Sequence, residues 1–377
     1  MDKKILDKIL ADVKKINPYV TYLNDESLST VHEWIDTGSM LLNAIISGSL
    51  YGGIPSGRIT LFAGPSMTGK SFIMQQILRN AQKMGKIPII IDSETAIDSR
   101  GAERFGIDTS QAIYVPTTTA LEARNIINNI LTNAIEQGQE GKFIVCIDSI
   151  GNLDSEMQIN RMDKGSTSAD MGSFAKDVKS LLKTCVRVGG RARCPIIMTN
   201  HIFEDPSAMF TKLIKDQPGG KAVWFLPSVI VQMARSDAKS EDTKEAGTIG
   251  GKKVSGVILK FLTAKNRFVK PLLTGEAYLS FSNGLHKYYG LTELAKNLGI
   301  ILQSGPSYSL PDGTKLGYES KWINDKEIWE KYILPQIEER IQKEWKYSEY
   351  KEDDNIVSKE LENNDEQILE NEEIVNE

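Results

Sequence analysis

The sequence predicts an α/β fold, in which helices cover both faces of a mostly parallel β-sheet. Short apolar runs recur along the first 265 residues, and helix-like stretches alternate with the first five of them, as in a parallel sheet buried on both sides. One run leads into a glycine-rich loop and then into a helix-like stretch. The composition, 40% hydrophobic and 25% charged residues, is that of a globular chain with room for one large domain and smaller additions.

Seven apolar runs are the candidate strands of this sheet. Each is short and rich in β-branched residues, as buried strands are. The stretch ALEARNIINNILTNAIEQG (120–138) is one of the helices expected between them. In chain order the runs are RITLF (58–62), IPIIID (87–92), QAIYVP (111–116), KFIVCID (142–148), CPIIMTN (194–200), SVIVQMA (228–234) and SGVILKFLTAK (255–265).

The loop GPSMTGKS (64–71) has the spacing of a phosphate cradle, G-x-x-x-x-G-K-S. A β-prone run precedes it and a helix-like stretch follows, which is the context that separates this motif from a chance glycine-rich turn. Its backbone N–H groups would surround phosphates at a helix N-terminus. Lys70 would reach the β- and γ-phosphates and Ser71 would hold Mg²⁺. The expected nucleotide contacts are Gly64, Pro65, Ser66, Met67, Thr68, Gly69, Lys70, Ser71 and Phe72.

Polar residues follow three other predicted strands, at the carboxyl edge where ligands collect in α/β sheets. Asp148, about 80 residues beyond the cradle, is expected to join Ser71 in the Mg²⁺ shell. Glu94 is expected to polarise the water that attacks the γ-phosphate. His201 is expected to sense that phosphate. The alternatives are a solvated loop carboxylate for Glu94 and a satisfied structural histidine for His201.

The two ends of the chain differ from its centre. Residues 3–16 carry an apolar stripe at helical spacing, and residues 19–23 read as a short extended stretch. Residues 235–253 are polar and rich in Gly and Lys, which favours a hairpin loop. Residues 285–347 read as a small, mostly helical appendage with several aromatic residues.

The net charge of −5 hides an uneven distribution. Residues 349–377 contain 12 acidic residues and 2 lysines, a net of −10, so the rest of the chain carries +5. This tail is expected to be disordered. It either keeps the protein soluble or competes with a polyanion for the basic body.

Cysteine content and hydropathy exclude several classes of protein. The cysteines at 146, 185 and 194 are an odd number in apolar surroundings, which fits a reducing compartment without disulfides. No Cys/His cluster has zinc spacing. No run of eighteen apolar residues predicts a membrane span, and the N-terminal stretch lacks the contiguous apolar core of a signal peptide.

The order of these motifs resembles the RecA/Rad51 recombinase family over roughly residues 35–270, and within it the bacteriophage UvsX-type recombinases. The pieces that carry the resemblance are DTGSMLLNAI, GGIPSGRITLFAGPSMTGKS, IIIDSETAID, FIVCIDSIGNL, PIIMTNH and GGKAVWFLPSVIVQMAR. The family forms an ATP-dependent helical filament on single-stranded DNA, pairs that strand with a homologous duplex and exchanges strands. The resemblance implies ATP and Mg²⁺ as cofactors, and a role in phage recombination, repair and recombination-dependent replication.

The resemblance also implies roles for catalytic residues. Glu94 takes the place of the hydrolytic glutamate, Asp148 that of the metal-side aspartate, and His201 that of the polar switch residue. In AKNR, Lys265 and Arg267 occupy positions whose cations reach the neighbouring subunit's γ-phosphate in bacterial members. Such cations act like arginine fingers. Each ATP site would then be complete only in the filament.

Two loops bind DNA in this family. The first would be residues 156–171 and the second residues 202–220. Basic and aromatic residues near these loops suit binding along a nucleic-acid backbone, although each lysine alone could be a solvated surface charge. The implied DNA-binding residues are Arg161, Lys164, Lys176, Lys183, Phe203, Phe210, Lys212, Lys215, Gly219 and Gly220.

One position departs from the family. A tyrosine commonly stacks on adenine shortly after the hydrolytic glutamate, and Gly101 stands at the equivalent position here. Arg100 or Phe105 would have to replace it. Asp98 could still accept a hydrogen bond from the adenine amino group.

The resemblance and the composition together divide the chain into four parts. Residues 1–34 would be a polymerisation arm, with Tyr22 or Leu23 inserted into the next subunit. Residues 35–284 would be the ATPase and DNA-binding core, 285–348 a small C-terminal domain, and 349–377 the acidic tail. The expected partners are single- and double-stranded DNA, further copies of the chain, a recombination mediator and a single-strand-binding protein. No membrane is expected, and the compartment implied is the cytoplasm of an infected bacterium.

Three other classes use similar parts. A hexameric helicase shares the ATPase core, but it would normally bring a larger N-terminal domain than the 35 or so residues here. A small-molecule kinase would need a lid with phosphate-binding arginines. A non-catalytic scaffold would lack Glu94 or the cations at Lys265 and Arg267.

Overall fold

The computed structural model describes residues 3–162, 171–203, 213–237, 241–242, 252–253 and 256–347. The chain divides into two units, residues 1–346 and 347–377, and the elements below belong to the first. The proposed acidic tail at 349–377 lies outside the described residues. So do three of the predicted DNA contacts, Lys164, Phe210 and Lys212.

The strands within the described residues include all seven predicted ones, and their ends fall within a few residues of the prediction. They are β1 (Trp34–Ile35), β2 (Ile54–Pro55), β3 (Ile59–Ala63), β4 (Ile87–Asp92), β5 (Ile113–Pro116), β6 (Phe143–Asp148), β7 (Ile196–Asn200), β8 (Val229–Asp237), β9 (Glu241–Asp242), β10 (Lys252–Lys253), β11 (Gly256–Asn266), β12 (Thr274–Ser280), β13 (Gly284–Leu285), β14 (Leu302–Ser304), β15 (Ser307–Ser309) and β16 (Lys315–Tyr318).

The helices alternate with the strands through the first two hundred residues, as predicted. They are α1 (Lys3–Lys14), α2 (Met40–Ser47), α3 (Lys70–Lys83), α4 (Ser99–Arg104), α5 (Ala120–Glu136), α6 (Glu156–Met162), α7 (Met171–Arg191), α8 (Ala222–Phe225), α9 (Leu291–Asn297), α10 (Glu319–Trp322), α11 (Lys326–Ile328) and α12 (Leu334–Glu344).

In the described part of the chain, nine strands form one mixed sheet in the order β13-β12-β11-β8-β3-β7-β6-β4-β5. Six neighbouring strands run parallel to one another, namely β8, β3, β7, β6, β4 and β5. The other three continue the sheet beyond β8 as antiparallel neighbours. The predicted mostly parallel sheet is therefore confirmed, with an antiparallel extension on one side.

The side chains of the central strands point alternately to the two faces of the sheet, and both faces are buried. Phe62 of β3 belongs to one hydrophobic cluster and Leu61 to the other, and Cys146 and Ile147 divide in the same way on β6. Successive side chains on a strand point to opposite faces, so an uninterrupted apolar run supplies both cores. On one face α5 and α7 cover the sheet, and on the other face α2 and α3 do so.

The region after residue 285 contains more β-structure than the sequence suggested. Its helices α9 to α12 were expected, but β14, β15 and β16 form an additional antiparallel sheet. Trp322 and Trp329 are buried here, and Tyr288 stacks on Trp329 with ring centroids 5.1 Å apart. These rings belong to the same hydrophobic cluster as Phe62 of the sheet.

The N-terminal helix forms as predicted but buries none of its residues. Its apolar stripe, which includes Ile5 and Ile9, stays exposed. No strand forms in residues 15–33, so the expected extended stretch lacks a β partner in this single subunit. None of the helices among the described residues has the length and apolar character needed to cross a membrane.

Candidate nucleotide site

Four adjacent strands bring the predicted catalytic side chains to one edge of the sheet. Strands β3, β7, β6 and β4 are neighbours and run in the same direction. Ala63 pairs with Asn200, and Asp92 pairs with Asp148, so these strands end level with one another. The glycine-rich loop and the residues around Asp148, Glu94 and His201 therefore share the carboxyl edge of the sheet.

The glycine-rich loop connects β3 to α3 and folds around the side chain of Lys70. The Lys70 ammonium donates to the carbonyl oxygens of Gly64, at 2.9 Å, and Pro65, at 2.8 Å. Burial lowers the pKa of Lys70, while the nearby carboxylates of Asp148 and Glu94 act in the opposite direction. This charge lies beneath the loop, where a phosphate bound to the loop N–H groups would meet it.

Two of the loop glycines are required by geometry. Gly69 has φ of +83°, and a Cβ on it would lie 2.9 Å from the Leu259 side chain. A Cβ on Gly64 would lie 2.5 Å from the carbonyl oxygen of Met233. The loop thus turns tightly against β8 and β11, and larger residues at these positions would push it away from the sheet.

Asp148 ends β6 with its carboxyl group almost fully buried. Burial raises its pKa, and hydrogen bonds from the hydroxyl groups of Thr199 and Ser71 partly offset that rise. The carboxyl also interacts with Glu94 and Asp92, which raise its pKa further. A positive ion at this position would relieve the repulsion among these carboxylates.

The residues around Asp148 fit a Mg²⁺ ion. The Oδ2 atom of Asp148 is buried without a hydrogen-bond donor among the described residues, and the Ser71 hydroxyl acts on the same carboxyl group. Mg²⁺ in P-loop sites is held by few protein groups because phosphate and water supply the other ligands. Among the described residues, no group of three or more His, Cys, Asp or Glu side chains is placed to hold a metal ion.

Glu94 lies two residues beyond the end of β4, and its Oε1 atom is surrounded by donors. The hydroxyl group of Ser149 donates to it at 2.8 Å, and the amide of Asn152 donates at 2.9 Å. The Nε2 atom of His201 lies 3.5 Å away. The predicted hydrolytic glutamate and the predicted switch histidine are therefore direct neighbours. The contribution of Ser149 and Asn152 was not predicted from the sequence.

The segment that carries Glu94 is anchored by Asp92, which is fully buried. Asp92 accepts hydrogen bonds from the backbone N–H groups of Glu94, Ala96 and Ile97, at 2.9 to 3.1 Å. A carboxylate held by several backbone donors fixes the path of the chain around it. Glu94 thus sits on a short loop of fixed shape.

Lys265 and Arg267 lie at the opposite edge of the sheet. β11 is antiparallel to β8, and the backbone N–H of Arg267 donates to the carbonyl of Ser228, whose own N–H donates to the carbonyl of Ile59. Ile59 begins β3, whereas the phosphate loop follows its other end. Five residues of strand separate the two, a distance of about 16 Å. These cations therefore face away from the phosphate loop of their own chain.

A third cation, Arg58, joins this pair and was missed by the sequence analysis. Lys265 donates to the carbonyl oxygens of Trp224 and Phe225, at 2.9 and 2.8 Å, and Arg267 donates to that of Phe225 at 3.2 Å. Burial lowers the pKa of Lys265 to about 8, and the positive charge of Arg267 contributes. Burial and Arg267 also lower the pKa of Arg58. Three like charges held together suit an anion, and no carboxylate among the described residues forms an ion pair with Lys265 or Arg267.

The residues proposed to hold the adenine ring serve as helix contacts in the structure. Asp98 caps α4 by accepting a hydrogen bond from the N–H of Gly101 at 2.9 Å. Phe105 packs edge-on against Phe72 of α3, with ring centroids 4.9 Å apart. Arg100 lies exposed on α4. Asp98 and Arg100 are both exposed, and Asp98 is already engaged as the helix cap.

The described ends of the second predicted DNA loop lie beside the carboxyl edge. Phe203 is exposed, and Lys215 is held at its backbone by two hydrogen bonds with the Gln232 side chain. Gly219 and Gly220 both have positive φ, and a Cβ on Gly220 would lie 3.0 Å from the side chain of Ala175 on α7. Packing against α7 is thus a structural reason for a glycine here.

The two lysines assigned to DNA on α7 are both exposed. Lys176 and Lys183 are seven residues apart and therefore share one face of the helix. Lys179 and Arg187 lie on the same face, and Arg187 donates to Asn128 of α5 at 2.8 Å. This basic stripe extends the sequence prediction by two residues. Arg161 lies on α6, which begins the first predicted loop.

The two candidate arm residues differ in their surroundings. The hydroxyl group of Tyr22 donates to Asp7 of α1 at 2.6 Å. Leu23 is 94% exposed, as much as a free side chain allows. To insert into a neighbouring subunit, Tyr22 would first have to break this hydrogen bond, whereas Leu23 has no such contact to break.

The phosphate loop, the strand order and the carboxylates at the carboxyl edge define a P-loop nucleotide-binding protein with a RecA-like α/β core. Comparison with known proteins agrees. A family model described as the RecA N-terminal domain matches residues 4–286. The RecA protein of Aquifex aeolicus is 27% identical over 311 residues, 82% of this chain and 84% of that protein. The RecA protein of Clostridioides difficile is 28% identical over 340 residues, 89% and 90% of the two chains. The chain belongs to the RecA family.

Proposed function

We propose that this protein is an ATP-dependent recombinase. It assembles as a helical filament on single-stranded DNA, pairs that strand with a homologous duplex, and exchanges the strands. Hydrolysis of ATP is stimulated by DNA. The observation that carries the proposal is that the hydrolytic glutamate contacts residues that lead into the two predicted DNA loops. Glu94 touches Asn152, which precedes the first loop by four residues, and His201, which directly precedes the second.

Each residue of the site has a chemical role in this proposal. Lys70 would exchange its two carbonyl acceptors for phosphate oxygens and would balance their charge. Ser71 and Asp148 would hold Mg²⁺, which would supply positive charge against the β- and γ-phosphates. Glu94 would accept a proton from the attacking water. His201 would respond to the phosphate that the water attacks.

The positions of Lys265 and Arg267 support a filament rather than an isolated enzyme. They face away from the phosphate loop of their own chain, so the phosphates they would contact belong to a neighbouring copy. Trans-acting cations of this kind contribute about 10³- to 10⁵-fold in rate in related systems. Exposed Leu23 and the apolar stripe of α1 give that neighbour a surface to bind.

Finer roles follow from the UvsX-like pieces of sequence. We propose that the protein supports phage recombination, repair and recombination-dependent replication in the cytoplasm of an infected bacterium. A recombination mediator and a single-strand-binding protein would be its partners there. A hexameric helicase is the second candidate, because it shares the ATPase core.

Three measurements test the proposal. Turnover of ATP measured with and without single-stranded DNA should rise several-fold with DNA, which a small-molecule kinase or a non-catalytic scaffold would not show. Pairing of a labelled single strand with a homologous duplex should occur, whereas a helicase would unwind the duplex without pairing. Electron micrographs with DNA and ATP should show helical filaments rather than closed rings. ATP turnover unaffected by DNA would contradict the proposal.

A further inference from the structure

The carboxylate of Glu94 is held by one oxygen only. In the described part of the chain, its hydrogen bonds and its contact with His201 all involve Oε1. Oε2 is the oxygen left to receive a proton from water. An amide or hydroxyl donor on Oε1 turns the carboxylate so that Oε2 points away from the donors.

The donors come from a segment that is itself fixed. The hydroxyl group of Ser93 donates to the carbonyl of Ser149 at 2.8 Å and accepts from its N–H at 3.0 Å. Two residues beyond Asn152, the backbone of Asp154 exchanges hydrogen bonds with Thr118 and Ala120, at 2.8 and 3.1 Å. Asn152 therefore lies between two anchored points, which fix the stretch of backbone from which its amide reaches Glu94.

Asn152 is exposed, and its side chain does little for the fold. Among the described residues its one side-chain hydrogen bond is the 2.9 Å contact to Glu94. Residues of this kind can be truncated with little effect on stability, because no cavity or buried polar group results. The contact with Glu94 is then the reason for an amide at this position.

We propose that Asn152 is a positioning residue for ATP hydrolysis, which holds Glu94 with Oε2 free to accept the proton of the attacking water. Ser149 serves the same purpose from its buried position. This inference rests on the proposed function of Glu94. It concerns the rate of hydrolysis and not the binding of nucleotide, since Asn152 contacts Glu94 and not the phosphate loop.

The test compares Asn152→Ala with Asn133→Ala, a control that removes an equally exposed amide on α5, bonded at 2.7 Å to Asn129. Asn152→Ala should lower kcat for DNA-stimulated hydrolysis about tenfold, because small misplacements of a catalytic group are costly. The KM for ATP and the ATP-supported affinity for single-stranded DNA should change less than about twofold. Asn133→Ala should leave all three quantities unchanged.

A second comparison separates positioning from a structural role. In a Glu94→Gln background, Asn152→Ala should have no further effect on single-turnover hydrolysis, because groups that act through one residue are not additive. An equal loss in both backgrounds would overturn the proposal, and so would a kcat for Asn152→Ala within twofold of the parent. Absence of DNA stimulation in the parent protein would instead contradict the proposed function, which keeps the two failures distinct.

Discussion

The two edges of the central sheet are built differently. At the carboxyl edge the parallel strands end, and at the amino edge, where Lys265 and Arg267 lie, they begin. At the carboxyl edge, Lys70, Asp148 and Glu94 all find partners within their own chain, and Lys70 and Asp148 are buried. At the amino edge, Arg58, Lys265 and Arg267 cluster together, and no carboxylate of the described residues pairs with the last two. One edge gathers the predicted nucleotide-site residues, and the other gathers positive charges that donate to backbone carbonyl oxygens. From this difference we propose that the cations at the amino edge of one copy act on the nucleotide bound at the carboxyl edge of another.

The largest expected effect comes from removing the ammonium group of Lys70 at the carboxyl edge. Lys70→Ala should abolish ATP turnover and ATP-dependent filament assembly, because the phosphates would lose the cation beneath the loop. An ATPase assay measures the turnover, and light scattering with DNA measures filament assembly. Lys83→Ala, on the exposed end of the same helix, should behave like the parent. Unchanged turnover in Lys70→Ala would show that the loop does not bind phosphate as proposed.

Removing only the basic oxygen of Glu94 should separate hydrolysis from binding. Glu94→Gln should slow hydrolysis about 10²- to 10⁴-fold, the usual contribution of a general base, while ATP-supported DNA binding persists. The amide keeps the shape of the side chain. Glu136→Gln, an exposed change on α5, is the matched control. A normal rate of hydrolysis in Glu94→Gln would show that Glu94 takes no part in the reaction.

Preventing contact between copies should stop Lys265 and Arg267 from reaching a neighbour's nucleotide, although both residues are unchanged. Deletion of residues 1–30 removes α1 and Leu23, the exposed apolar surfaces proposed to bind a neighbour. The truncated protein should remain a soluble monomer that binds ATP but loses cooperative DNA binding and DNA-stimulated hydrolysis together. Light scattering and an ATPase assay measure both. Filaments like those of the full-length protein would place the interface elsewhere.

The smallest expected effect is a pH dependence from Lys265. Its pKa is lowered to about 8, mainly by burial, so the ammonium is charged below that pH and loses its charge as the pH rises through it. DNA-stimulated turnover should therefore decline between about pH 7.5 and 9, more than ATP binding to the monomer does. Lys265→Arg should weaken this decline, because a guanidinium stays charged throughout that range. Identical alkaline profiles for the two proteins would exclude a role for the Lys265 charge.

The sequence predicted the central sheet because its strands are uninterrupted apolar runs. Such runs supply two cores at once, and few other structures use them. It missed β12 and the small sheet of β14 to β16, whose residues are mixed with Gly and polar side chains and are only partly buried. That region read as mostly helical, yet Tyr308 and Trp322 pack against each other from a strand and a helix.

The catalytic candidates were predictable because each follows a strand or belongs to a spaced motif. Their partners were not, since the donors to Glu94 lie 55 and 58 residues away along the chain. Only the pairing of β4 with β6 brings these segments together. Arg58 escaped notice for the same reason, because it meets Arg267 only through the neighbouring strands β3, β8 and β11. Long-range strand pairing, rather than local pattern, completes the site.

The central claim, that one copy's amino edge acts on its neighbour's nucleotide, can be tested by mixing two inactive proteins. Glu94→Gln cannot hydrolyse its own ATP but keeps Lys265 and Arg267. The double variant Lys265→Ala, Arg267→Ala keeps Glu94 but lacks the cations. In mixed filaments on single-stranded DNA, some sites would combine an intact Glu94 with intact cations from the neighbour. The account predicts ATP turnover well above the summed rates of the two proteins alone, and turnover that never exceeds that sum at any mixing ratio would contradict it.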